Sequence, residues 1–299
     1  MSFADGLKTI VVAIDQDGKP KAALEYSRKL AGAYHARVVL AYGLDPLDYV
    51  SVEGLPGRVL KRMTQAARAS LEEMAADLIW EGIHSHSVVR QGSVAQLLVD
   101  IATQYEAGLI VVGTKGREGS GPAMVGAIAE QVVRAAPCAV LAVAEDWNAG
   151  DFRPSPGGPV LLAIERNEAT SDAVAAACSL AESFHRTLLV LHARRAAEAA
   201  ALLNPRSTAL AHFGIDSDRS FPVHCIVQDG SPADVIEEVI ADYHPCLLVA
   251  GVKRTSGKWG PHGTAFEMLA CSRVPVMCVP PVTVAAGEAP GKANAFAVA

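Results

Sequence analysis

Thr9–Leu44 reads TIVVAIDQDGKPKAALEYSRKLAGAYHARVVLAYGL, and Gly158–Arg194 reads GPVLLAIERNEATSDAVAAACSLAESFHRTLLVLHAR. Each stretch has a short apolar run, an amphipathic middle and a second apolar run. Asp15 falls opposite Glu165, Tyr34-His35 opposite Phe184-His185, and Tyr42 opposite His192, at one constant offset of 150 positions (15 to 165). Agreement in order, spacing and residue type identifies an internal duplication.

The duplication continues. VVRQGSVAQLLVDIATQYEAGLIVVGTKG aligns with IVQDGSPADVIEEVIADYHPCLLVAGVKR, so that Gly92-Ser93 meets Gly230-Ser231 and Gly113 meets Gly251, now 138 positions apart (113 to 251). The second copy is therefore shorter between its second and third strands, where the first carries LDPLDYVSVEGLPGRVLKRM. The Pro-, Gly- and Asp-rich seam divides the chain. We expect a first domain over 1–146, a linker over 147–158, a second domain over 159–283, and a flexible tail over 284–299.

In the first copy the strands are expected near Thr9–Ile14, Arg37–Tyr42, His84–Arg90, Leu109–Gly113 and Ala139–Val143. Pro20–Ala33 has helical spacing that would bury Ala23, Tyr26, Leu30 and Ala33. Ser93 is placed to cap the helix after strand three, as is Ser231 with Pro232 behind it. Apolar strands alternating with helices imply a parallel sheet covered on both faces. The fold class is α/β, with two repeated open five-stranded units. In such sheets ligands sit at the carboxyl ends of the strands, where the winding reverses. Asp15 and Gly113 would face one crevice if strands one and four are neighbours.

Composition narrows the function. With 51% hydrophobic and 19% charged residues the chain can build real cores, and its net charge of -6 without a basic run argues against a nucleic-acid partner. The apolar runs are too short to cross a bilayer. MSFADGLKTI has no signal-peptide pattern, so the expected location is the cytoplasm. Six cysteines without a C-x-x-C pair read as free thiols, mostly buried. His84 and His86 alternate on one strand face, which reads as a solvated face rather than a metal site. There is no phosphate-binding G-x-x-x-x-G-K-[ST] loop, and the glycines of GREGSG have the wrong order and place for a dinucleotide fingerprint.

The loop VVGTKGREGSGPAMVGA (Val111–Ala127) carries the chemistry. Gly113 either takes a backbone conformation closed to other residues or lets a ligand approach the main chain. Gly116 turns the loop, and Gly126 opens a helix whose first amides attract an anion. Lys115 and Arg117 add positive charge. Glycines between a strand and a helix also serve as plain turn residues, and an Asp at a strand end as a cap.

VVAID at the end of strand one, QGS before a helix, and LIVVGTKG with the later glycine and PCAVLAV resemble the universal stress protein family, and two copies resemble its tandem type. The resemblance implies a Rossmann-like, adenine nucleotide alpha hydrolase-like sheet that binds an adenine nucleotide, ATP, with Mg²⁺ held through the phosphates. The ligand set it implies is Ala13, Asp15, Gly43, Val112, Gly113, Gly116, Arg117, Gly126, Ala127 and Ile128. Asp15 would contact the nucleoside, and Gly43, after strand two, would meet adenine through its backbone. Ala127 departs from the family pattern, which places Ser or Thr there. The second copy departs further. Glu165 replaces the Asp and Arg254 the second glycine, while Gly251 and Gly263-Thr264 remain with closer spacing. It reads as a weaker, degenerate site.

No nucleophile–base pair announces itself, so catalytic residues are not assigned and hydrolysis would be slow at most. The expected role is regulatory or protective. A nucleotide-free interaction module with decayed pockets is the alternative. The resemblance also implies pairing of the two halves through CAVLAVA and VPVMCVP, and association of two chains as a homodimer.

Overall fold

A computed structural model of the chain describes residues 3–14, 21–45, 57–114, 127–144, 157–164, 170–194, 215, 220–252, 268–269, 272 and 274–281. The first half runs α1 (Phe3–Gly6), β1 (Thr9–Ala13), α2 (Lys21–Tyr34), β2 (Arg37–Leu44), α3 (Gly57–Trp80), β3 (Ser85–Gln91), α4 (Val94–Gln104), β4 (Leu109–Thr114), α5 (Ala127–Ala135) and β5 (Ala139–Ala144). The second runs β6 (Val160–Ala163), α6 (Thr170–Ser183), β7 (Leu188–Arg194), β8 (Val223–Asp229), α7 (Pro232–Tyr243), β9 (Leu247–Gly251) and β10 (Val276–Val279).

The duplication is written into the backbone. His35 and His185 both take left-handed conformations, at φ 51° and 50°, and Glu106 and His244 do so at 49° and 47°. Each lies just beyond a helix, where that conformation lets a following amide reach back to the last turn. Ala36 N–H bonds Ala31 O at 3.0 Å, and Arg186 N–H bonds Ala181 O at 2.8 Å. The repeated Tyr34-His35 and Phe184-His185 thus mark helix ends.

Ten strands form one sheet in the order β3-β2-β1-β4-β5-β10-β9-β6-β7-β8. Within each half all pairs are parallel, and the halves join where β5 and β10 pair antiparallel, Val140 opposite Cys278. Two apolar cores cover the faces. Tyr26 and Leu30 of α2, Leu71 and Leu78 of α3 and Leu180 of α6 fill one. Leu98 and Ile101 of α4, Val132 of α5 and Ile236 and Val239 of α7 fill the other. The halves also meet through α2 and α6, where Tyr34 Oη and Ser179 Oγ share a hydrogen bond of 3.1 Å.

Several local expectations change. Ala33 is exposed, and the buried stripe of α2 passes instead through Ala22, Ala23, Tyr26, Ser27, Leu30 and Ala31. Ala33 lies at the edge of that stripe, while Ala31 and Tyr34 of the same turn keep contact with the core. Ser93 occupies the cap position of α4 but its hydroxyl makes no capping bond, whereas Ser231 accepts from the Asp234 amide at 3.3 Å. Strand β3 begins at Ser85, so His84 lies outside it, and His86 rests on the Tyr105 ring with centroids 4.8 Å apart. Burial, then the Arg37 charge, pushes the His86 imidazole below its ordinary value. Among the described residues no group of three His, Cys, Asp or Glu could hold a metal ion, and no helix is long and apolar enough to cross a membrane. Cys178, Cys246 and Cys278 are buried free thiols, Cys138 and Cys225 are half-buried ones, and Cys271 lies outside the described residues. The tail and most of the seam also lie outside them.

Candidate functional site

The winding reverses at β1, which pairs with β2 on one side and β4 on the other, both parallel. The connection the sequence left open is therefore made, and the carboxyl ends of β1, β2 and β4 lie side by side. Strand β1 is the shortest of the three. Its last ladder contact is Ile14 N–H to Ala41 O at 2.8 Å, while β2 continues to Leu44 against β3. A notch thus opens above the end of β1, bounded by β2 and β4, where an open sheet receives a ligand.

Gly43 lies within β2 rather than after it, opposite Arg90 of β3. Backbone groups alternate in direction along a strand. Ala41 O accepts from Ile14 and Leu44 O from Gly92 N–H, so Gly43, two past Ala41, turns its amide and carbonyl toward the notch. Its missing side chain has a packing cause as well. A Cβ there would lie 3.0 Å from Val94 Cγ2 and 3.1 Å from Val94 Cα, at the start of α4.

Gly113 has a different reason to be glycine. It is exposed near the end of β4, has no left-handed φ, and a Cβ built on it meets no described residue within 4 Å. Of the two reasons the sequence offered for this glycine, the conformational one therefore does not apply. Val112 beside it is buried, and continuing the register of Val12 with Val111 brings Ala13, half-buried, next to Val112. These two shape the notch floor with small apolar surface.

Ala127 and Ile128 open α5, both exposed. Ala129, Val132 and Val133 anchor the helix in the core against α4, and Arg134 Nε donates to Glu130 Oε1 at 3.1 Å along its outer face. Ala127 brings an N–H but no hydroxyl to the helix start. Asp15, Gly116, Arg117 and Gly126 lie outside the described residues, as do Lys115 and the rest of the loop. The structure thus gathers Ala13, Gly43, Val112 and Gly113 at one notch.

In the second half β6 pairs with β7 and β9, giving the same reversal. Gly251 ends β9, half-buried, while Glu165, Arg254, Gly263 and Thr264 lie outside the described residues. Ala193 stands at the place of Gly43. His192, in the place of Tyr42, is a residue the sequence reading passed over as a candidate. Its Nδ1 lies 3.3 Å from Ile164 O. A carbonyl only accepts, so Nδ1 carries the proton, and the ring is fixed beside the end of β6. The signal was present in the sequence as a polar residue opposite a buried tyrosine.

A family model described as the universal stress protein family matches residues 6–144. A universal stress protein of Methanocaldococcus jannaschii is 31% identical over 141 residues, which cover 46% of this chain and 81% of that one. A universal stress protein of Thermus aquaticus is 30% identical over 138 residues, covering 46% of this chain and 98% of its own length. Among solved structures, a universal stress protein from Archaeoglobus fulgidus superposes with TM-score 0.73 at 14% identity, over 92% of this chain and 98% of that one. A protein of unknown function from Pseudomonas aeruginosa gives 0.68 at 19% identity, over 93% and 94%. At these identities the superpositions speak for the fold alone, and they do so through both halves.

Proposed function

The chain belongs to the universal stress protein family, and from that premise we propose that it is a regulatory or protective protein whose first half binds ATP. The observation that supports this most is Gly113, a glycine that neither its φ nor packing against the described residues requires, at the lip of the notch between β2 and β4. A side chain there would stand where a ligand approaches the main chain.

In this reading the adenine meets the backbone of Gly43, which faces the notch. Asp15, one residue beyond Ile14, accepts hydrogen bonds from the ribose hydroxyls. The phosphates take amides of the loop that starts at Gly113 and of the α5 start at Ala127, with Gly116, Arg117, Gly126 and Ile128 completing the set. Mg²⁺ would be held through the phosphates and would neutralise their charge. The hydroxyl missing at Ala127 costs about 1–3 kcal/mol unless another group reaches that phosphate oxygen. We assign no general base, so turnover is at most slow, and the bound nucleotide acts as a signal rather than a substrate.

The second site, with Glu165, Gly251, Arg254, Gly263 and Thr264, is the weaker one. We place the protein in the cytoplasm. Because β5 and β10 already consume each other's edges, a homodimer of two chains must use other surfaces.

The test is thermal melting of the full chain with and without Mg-ATP. A ligand that binds only the folded state raises its stability by about 2.7 kcal/mol at a hundred times its dissociation constant. We expect a shift that Gly113→Val abolishes and Gly251→Val leaves intact. No shift with ATP, ADP or AMP at millimolar levels overturns the reading in favour of a nucleotide-free interaction module, the outcome the bare Ala127 position favours.

A further inference from the structure

A hollow of about 490 Å³ opens at the amino-terminal end of the second half's sheet, opposite the end that carries the notch. Pro159 before β6, Thr187 before β7 and Tyr243 at the end of α7 wall it, with Leu189 and Ile226 beneath. Gly157, His185, Arg186, His224 and Cys225 complete the lining.

The duplication shows how this space arose. In its counterpart in the first half, by the same offsets, a long cation lies across the corresponding place. Arg37, at the place of Thr187, donates from Nε to Thr9 Oγ1 at 2.8 Å and from Nη2 to Tyr105 O at 3.2 Å. Thr9 corresponds to Pro159, Tyr105 to Tyr243, and His86 to His224. In the second half the long cation has become threonine and its hydroxyl partner proline. The cation and one of its two acceptors are gone from this place, while a buried arginine, Arg186, stands where the first half has Ala36.

The lining donates rather than accepts. Arg186 is buried, at 5% exposure, and its Nη1 donates to Gly157 O at 2.7 Å, which holds a permanent positive charge in the wall of the hollow, near the buried Tyr26 and Cys246. His185 and His224 are exposed on the rim, and Thr187 offers a hydroxyl. Among the described residues no carboxylate lines the hollow. Leu189 is buried and Ile226 half-buried below, and the Tyr243 ring stands half-exposed beside them. A volume of this size matches the lower range of small-molecule sites, which combine apolar walls with a few polar groups.

We propose that this hollow binds a small organic anion, a single carboxylate or phosphate on a flat apolar body. The anionic end meets the Arg186, Thr187 and imidazole donors, and the body lies on Leu189 and Ile226 against the Tyr243 ring. The first half, with Arg37 in place, does not bind it. This site is separate from the nucleotide notch and stands whether or not the notch holds ATP.

The experiment uses the full chain with benzoate as probe, benzamide as its uncharged match, and inorganic phosphate as an anion without the apolar body. Calorimetry gives the affinities. Peptide mapping after brief treatment with iodoacetamide gives the location, because Cys225 lines the hollow and Cys138 does not. We expect saturable benzoate binding, at least tenfold weaker binding of benzamide and of phosphate, and slower alkylation of Cys225 with Cys138 unchanged. Thr187→Arg with Pro159→Thr, which restores the first half's cation and its hydroxyl partner, should remove benzoate binding. His224→Leu, at an exposed position that folding does not need, should weaken it at least tenfold. Gly113→Val should leave it unchanged. Benzamide binding as tightly as benzoate, Cys225 left unprotected, or a double variant that binds normally would overturn the proposal.

Discussion

Leu141 pairs with its own duplicate. It faces Met277 across the β5–β10 joint, and the two stand at the same place in their halves: Gly113 of β4 pairs with Val143, two past Leu141, and its counterpart Gly251 of β9 pairs with Val279, two past Met277. Val140 faces Cys278 and Ala142 faces Val276, which exchanges the flanking positions around that pair. A local two-fold axis therefore passes between Leu141 and Met277, the self-complementary arrangement of a symmetric dimer, here inside one chain. Both residues are almost fully buried. Burial pushes the Cys278 thiol up to about 12, so it sits there as a small neutral hydrophobe.

The joint should be intolerant of charge and tolerant of a change that keeps it small and apolar. Val140→Asp would bury a carboxylate beside the centre of the joint and cost about 3 kcal/mol or more. Val140→Cys, which stays small and apolar opposite Cys278, should cost less than about 1.5 kcal/mol. Urea unfolding midpoints distinguish them, and equal losses would show that the joint contributes little to folding.

The two notch glycines should part company. Gly43→Ala puts a Cβ against Val94 at 3.0–3.1 Å and should destabilise by about 1–2 kcal/mol, because Val94 Cα belongs to the α4 backbone and cannot swing aside. Gly113→Ala meets open space and should be neutral or stabilising by about 0.4–1 kcal/mol, through the unfolded chain. Melting of the nucleotide-free protein reads both. Any loss of ATP response in Gly113→Ala then reports contact rather than folding.

The helix ends at His35 and His185 hold non-glycine residues at φ 51° and 50°. His35→Gly should stabilise by up to about 1 kcal/mol, since glycine carries no Cβ penalty there. His35→Val should destabilise by about 1–2 kcal/mol, because the left-handed conformation crowds a branched Cβ. The same pair of changes at His185 should repeat the result, which denaturation curves can check.

Alkaline pH should weaken the fold through Tyr26. Burial raises its phenol well above the ordinary value of 10.0; Cys246 adds to the rise and the nearby Arg186 charge opposes it. The folded state therefore keeps the proton after the unfolded chain has lost it. Stability from this group is full below pH 10 and falls as pH climbs from there toward the folded value. Tyr34, also raised by burial first, adds to the same slope. Urea midpoints between about pH 9 and 11 should fall less steeply in Tyr26→Phe than in the parent.

Much was legible without coordinates. Strand and helix periods are local, so apolar runs announced the five strands of the first half, and constant offsets announced the duplication that repeats them, while the helix Gly57–Trp80 was not read. Gly113 drew attention to the carboxyl end of β4, which the structure sets beside the end of β1. Local patterns misled where cover matters. Ala33 has the spacing of a buried residue but lies exposed at the edge of the buried stripe, and Ser93 has the residue type of a cap without the bond.

The tertiary structure alone decided what depends on contacts between distant segments. That β1 lies between β2 and β4, and that Gly43 runs against Val94, follow from how helices pack across strands far apart in sequence. The exchange of Arg37 for Thr187 is visible in the aligned copies, yet that it empties a hollow is not. A missing side chain leaves a space only if its neighbours do not close in, and rigid strands and a docked helix hold these apart.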